Sequence, residues 1–195
     1  MKESITSAWD RKYKENIEHQ TFDETTKKQL DDFISLLPKG AKVLDVGCGN
    51  GRKTDYISKK GFDATGIDSS GVAIKFAGKT FPNAAFKQGF VENLPFKKNS
   101  FDAVVSIAVL HCLSAASRKR YADEIYRVLK PGGILYMLTL AADDKTINKP
   151  KIYMHLSDAS EIRKLFRSFK TIEMRHLKRI VKGKVNAIFI CVIIK

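Results

Sequence analysis

Cysteine is scarce. The three residues, Cys48, Cys112 and Cys191, lie far apart with no C-x-x-C spacing, so neither a zinc site nor a disulfide framework is indicated and all three read as small buried thiols. Long apolar runs are missing too. The longest, AIFICVII near the C-terminus, has eight residues, far short of the ~20 that span a bilayer. The charged N-terminus MKESITSAWDRKYKE lacks the apolar core of a signal peptide. No internal repeat, low-complexity tract or Pro/Gly/Ser linker divides the chain. The 195 residues are therefore expected to form one domain, 1–195, soluble and cytoplasmic, able to bury roughly 70% of the unfolded surface.

Acidic residues are few as well. Asp and Glu number 21 against 35 Lys and Arg, a formal charge of +14, and over residues 151–195 the count is three against eleven. A cationic cluster of that kind draws nucleic acid, anionic membrane or acidic substrates through its long-range potential. Because 26 of the 35 cations are Lys, plain solvation stands beside polyanion binding as a reading.

What is present centres on KVLDVGCGNG, Lys42 to Gly51. A β-branched apolar run enters a turn carrying Gly47, Gly49 and Gly51, and a stretch with helical spacing follows. That is how a buried parallel strand feeds a helix. Glycines at alternate positions let the backbone approach a ligand closely, and the N–H groups opening the helix suit an anionic group. A dinucleotide G-x-G-x-x-G fails, because Arg52 or Thr54 stands at the third glycine. A P-loop fails because Arg52 separates Gly51 from Lys53-Thr54. Asp68 closes the next predicted strand, FDATGID, 21 positions beyond Gly47, where a ribose-binding carboxylate belongs.

The remaining motif, D-x-G-x-G-x-G from Asp45 to Gly51, resembles the first motif of the class I S-adenosylmethionine (SAM) methyltransferases, and later segments agree with it in order. FVENLPF, Phe90 to Phe96, resembles the family's adenine-side loop, with Phe90 standing where the family usually has Asp. NSFDAVVSIAVLHCL, Asn99 to Leu113, resembles the fourth motif, and Pro131-Gly132-Gly133 the approach to the fifth strand. N/D-P-P-Y/F, used on exocyclic amines of nucleobases, is absent, which disfavours that reaction. The resemblance runs from Lys42 to about Leu140. It implies an α/β, Rossmann-like, seven-stranded and mostly parallel sheet with helices on both faces and an antiparallel last strand. FKTIEMRHL and NAIFICVII, joined at Lys182-Gly183-Lys184, read as the closing hairpin.

The same resemblance implies a SAM site residue by residue. Asp45, Gly47, Cys48 and Gly49 would take the amino-acid end, Asp68 and Ser69 the ribose, and Phe90, Val91 and Glu92 the adenine. Ser106 and Ile107 would face the reactive end. W-D-x-x-Y (Trp9, Asp10, Tyr13) lies on a leading helix over residues 4–18, whose Ile5, Trp9, Tyr13 and Ile17 are spaced as a core stripe. It resembles the segment that folds over SAM, making residues 1–25 a lid and Tyr13 a contact. Residues 141–157 would form a substrate-side rim.

His111, at the mouth of the fourth strand, is the first candidate general base, since its ordinary pKa suits proton removal, and it reads equally as a local packing residue. His155 is the second; His19 and His176 read as surface residues. Three functions remain: methyl transfer to a small molecule, methylation of tRNA gripped by the basic C-terminal segment, and SAM binding without catalysis as a partner protein. The RNA reading rests on SFDAVVSIAVLHCLSAASRKRYADEIYRVLKPGG, which resembles the tRNA wobble-uridine carboxymethyl methyltransferases.

Overall fold

The computed structural model describes residues 5–17, 22–143, 154–181 and 184–195. Two helices, α1 (Ile5–Asn16) and α2 (Glu24–Ile34), precede the sheet. The strands are β1 (Lys42–Val46), β2 (Asp63–Asp68), β3 (Ala85–Gln88), β4 (Phe101–Ile107), β5 (Leu129–Leu140), β6 (Thr171–Val181) and β7 (Lys184–Ile194). Four more helices are α3 (Arg52–Lys59), α4 (Gly71–Thr80), α5 (Ala115–Val128) and α6 (Ala159–Leu165). The sheet runs β3-β2-β1-β4-β5-β7-β6. Pairings from β3 to β5 are parallel and β7 is antiparallel to both neighbours, as the motif order implied.

Alternation along the central strands divides the core. Val43 joins Leu30 and Phe33 of α2 and Ile57 of α3 on one face. Leu44 and Val46 join Tyr121 and Ile125 of α5, Ile162 of α6 and Phe166 just after it on the other. Past Lys42 every residue of β1 is buried, the pattern of a parallel strand covered on both sides. Each fully buried Leu or Ile in these layers contributes roughly 1.5–3 kcal/mol. Helix starts are fixed locally: the side chains of Asp23, Ser70, Ser114 and Asp158 accept from the backbone N–H of Thr26, Ala73, Ser117 and Glu161. Helix α3 differs, opening on Gly51 at φ +83° with no side-chain cap.

Helix α2 stops at Ile34, four residues before Pro38. The chain continues as a tight turn in which Ser35, Leu36 and Leu37 donate to Asp31, Phe33 and Ile34 carbonyls, because Pro38 disfavours helical geometry in the residue before it. In the closing hairpin Val181 pairs with Lys184, while residues 182 and 183 lie outside the described residues. So do His19 and residues 144–153 of the expected rim. The strand order reverses between β1 and β4, which opens a crevice beyond their C-terminal ends.

Candidate cofactor cleft

The turn after β1 is held by its neighbour β2. Gly47 and Cys48 both donate their N–H to the Ile67 carbonyl, at 2.8 and 3.0 Å. Gly49 N–H then reaches Oδ2 of Asp68 at 2.9 Å, and Ser70 N–H reaches its Oδ1 at 2.9 Å. One backbone donor thus occupies each carboxylate oxygen, and each oxygen keeps capacity to accept another. Burial raises the Asp68 carboxyl above its ordinary value, opposed by the Ser70 and Gly49 N–H groups. Glycine is required at position 47: its φ is +67°, and a Cβ there would run into Cγ2 of Val109.

Beside this turn lies a cleft of about 270 Å³. Of the residues expected to hold a cofactor, Tyr13, Gly47, Asp68, Ser69, Phe90, Val91 and Glu92 line it. Helix α1 closes one side with Trp9 and Tyr13, ring centroids 5.8 Å apart. It is fastened at its middle and just past its C-terminal end: Asp10 accepts from the Ser70 hydroxyl at the start of α4, and the Ile17 carbonyl accepts from Asn50 Nδ2 at 3.0 Å. Lys12 sits 4.3 Å above the Trp9 ring, with its ammonium pKa lowered by burial.

The other expected residues lie off the wall, each for a visible reason. Asp45 is fully buried and turned beneath the glycine turn, where Oδ2 accepts from Thr54 Oγ1 of α3 at 2.8 Å and Oδ1 has no hydrogen-bond partner among the described residues. Burial raises its carboxyl, with Lys53 and Thr54 opposing. Cys48 points into the interior against Gly66, and burial pushes its thiol well up. Gly49 is engaged through its N–H with Asp68. Ser106 is buried and accepts from the Tyr121 hydroxyl at 2.6 Å. Ile107 packs on the α2–α3 side of the sheet.

His111 does not have the setting of a general base. It is buried, and Nδ1 accepts the Leu140 N–H at 3.2 Å, with the Thr139 hydroxyl also at 3.2 Å. A backbone N–H aimed at Nδ1 is met by a lone pair on that nitrogen. The nitrogen that accepts is already used in holding β5. His155 is part-exposed beside the Glu161 carboxylate, 3.1 Å away, and His176 is exposed beside Asp143 at 3.0 Å.

Residues the sequence did not single out complete the wall: Ala108, Val109, Cys112, Leu113, Ser114 and Ser117. Ala108 has φ +64°, a conformation a non-glycine residue adopts at a cost. That bend turns the chain out of β4, so that Val109 and Cys112 meet the cleft while Ser106 and His111 do not. The Cys112 thiol is pushed up to about 11 by burial, so it is a neutral wall group rather than a nucleophile.

A doubly wound sheet with a glycine turn, a strand-tip carboxylate and a crevice at the reversal of strand order defines a nucleotide-type ligand site. Residues 44–137, just under half of the chain, match the family described as "Methyltransferase domain". Among similar proteins is an uncharacterized methyltransferase of Synechocystis sp., 39% identical over 101 residues, 52% of this chain and 48% of that one. Another is a tRNA (carboxymethyluridine(34)-5-O)-methyltransferase of Arabidopsis thaliana, 36% identical over 114 residues, 58% of this chain and 27% of that one. A TehB-like SAM-dependent methyltransferase of Corynebacterium glutamicum superposes with a TM-score of 0.71 at 25% identity, covering 96% of this chain and 98% of that one. The chain thus spans about half the length of the first relative and about a quarter of the second. Among the described residues no helix is long and apolar enough to cross a membrane.

Proposed function

We propose that this chain transfers a methyl group from SAM to a small-molecule acceptor. The observation that carries the reading is the Asp68 carboxylate, held by the Gly49 and Ser70 N–H groups in the same cleft as Gly47, Tyr13 and Phe90. The fit rests on two features. Gly47 leaves open the space beside Val109 that a Cβ would fill, and Asp68 has acceptor capacity left for a pair of ribose hydroxyls.

Bound SAM supplies a methyl group already activated on a sulfonium, and the protein's share is alignment and exclusion of water, worth several kcal/mol when geometry is held. Asp68 and Ser69 take the ribose. Phe90, Val91 and Glu92 receive the adenine, with the half-exposed Phe90 ring offering a face in place of the family's usual acidic acceptor. Gly47 gives the amino-acid end its approach, and Asp45 supports that turn from below through Thr54. Trp9 and Tyr13 of α1 cover the ligand. No residue is assigned as general base, since acidic thiols, carboxylates and phenols need none.

The test is turnover: purified protein given SAM and a panel of thiols, carboxylates and phenols should release S-adenosylhomocysteine with at least one. SAM binding without turnover on any of them would favour a non-catalytic binding protein. A tRNA acceptor is the second reading, favoured by the similarity to the Arabidopsis enzyme and by the excess of cations over residues 151–195. It requires retention on bulk tRNA that falls steeply with salt.

A further inference from the structure

A second cleft, of about 310 Å³, lies between α5 and α6. It is separated from the cofactor cleft by one helical turn: Ser114 and Ser117 line the first, Ala115 and Arg118 the second. Both helices begin at the edge of the sheet where β4 and β5 end, so the two clefts open beside each other.

The charges lining this second cleft do not cancel. Its acids are Asp123 and Glu161, and each is already bound: Asp123 by Lys119 at 2.6 Å, Glu161 by Arg118 at 2.8 Å. Arg118 is buried, with its guanidinium consumed by the carbonyls of Leu110, Leu113 and His155, the Ser157 hydroxyl and Glu161. Two cations are left over. Lys164 of α6 and Arg167 in the turn after it are both exposed on the lining. Among the described residues neither has an acidic partner. Ser168 adds a hydroxyl beside them. A concave surface with two uncompensated cations, one a planar guanidinium, and a hydroxyl matches a phosphate group.

We propose that the α5–α6 cleft is a phosphate-binding subsite, with Lys164 and Arg167 as its charged contacts, that anchors a phosphorylated methyl acceptor beside the cofactor cleft. The phosphate is either a phosphoryl group of a small molecule or a phosphodiester of a polynucleotide. As a statement about the acceptor it rests on the methyl-transfer reading, but phosphate binding is measured without cofactor, so the two fail separately.

The experiment uses the full chain and two probes, a short fluorescein-labelled oligouridylate followed by anisotropy and inorganic tripolyphosphate as its competitor. The site variant is Lys164→Glu/Arg167→Glu. The control, Lys39→Glu/Lys79→Glu, makes the same change in net charge at exposed positions before β1 and at the end of α4. Two phosphate contacts on a single strand are worth about 25-fold at about 0.1 M salt and about 1.4 in the salt slope. The site variant should lose at least that, the control less than about threefold, and SAM affinity by calorimetry should not move. Displacement of the oligouridylate by tripolyphosphate identifies phosphate as the group read. Cleft-dependent binding of tripolyphosphate but not of the oligouridylate assigns the subsite to small phosphorylated acceptors, and cleft-dependent binding of both admits a polynucleotide. Equal losses in site and control variants, or no binding of either probe to the wild type, overturns the proposal. If SAM fails to bind while the cleft still takes phosphate, the methyl-transfer reading falls and the subsite stands.

Discussion

Gly47→Ala is the perturbation whose cost is most directly worked from the structure, because two separable penalties meet there. The backbone is at φ +67°, and placing an L-residue in the left-handed region costs roughly 1–2 kcal/mol. The new methyl also lands on Cγ2 of Val109, an overpacking that costs roughly 1–3 kcal/mol. The single variant should therefore lose roughly 2–5 kcal/mol in urea unfolding. Val109→Ala alone removes two buried methyl groups and should cost about 1.6 kcal/mol. In the double variant the collision is gone and only the backbone strain remains, so the two changes should couple favourably by about 1–3 kcal/mol. Additivity to within about 0.5 kcal/mol would mean that Gly47 and Val109 do not touch and that the cleft wall is misplaced. The same single variant pushes Val109 toward the ligand space and should weaken SAM binding.

Three further outcomes can be checked. His111→Asn, which keeps an acceptor for the Leu140 N–H, should leave turnover within a few-fold; a loss of about 10²–10⁴ would restore His111 as a proton-transfer group. Phe90→Ala should weaken SAM by about 0.5–1.5 kcal/mol in calorimetry if the ring stacks on the adenine, with little change in melting temperature since Phe90 is 52% exposed; unchanged affinity would remove the stacking. Asp45 keeps its proton in the folded state to higher pH than in the unfolded chain, so it makes unfolding free energy fall as pH rises above the ordinary aspartate range, and Asp45→Asn should flatten that slope. Equal slopes in both proteins would refute the assignment.

Much of the fold could be read in the chain because its signals were local. The apolar run before Gly47, the glycines at 47, 49 and 51 and the Pro131-Gly132-Gly133 step mark where elements begin and end, and parallel pairing with right-handed crossovers leaves few ways to arrange them. Asp68 was legible because neighbouring parallel strands end at the same edge of the sheet. The wall beyond β4 was not. Whether Ser106, Val109 or His111 meets the cleft depends on one left-handed residue, Ala108, and nothing in AVLHCL announces that bend. The role of Asp45 was hidden similarly, since strand alternation points its carboxylate to α3 and Thr54 and only packing shows which face is which. Arg118 reads as a surface cation in SRKR, yet it ties the turn after β4 to residues 155–161 through five acceptors.

The central claim, that the turn after β1 and the tip of β2 hold one adenosyl ligand between them, is tested most directly by calorimetric titration of SAM into the wild type and Asp68→Ala. Saturable binding to one site in the wild type, weakened by roughly 2–4 kcal/mol in the variant through loss of a charge-assisted pair of hydrogen bonds, is the predicted result. Equal affinity in the two proteins, or no binding by folded wild type, would contradict it.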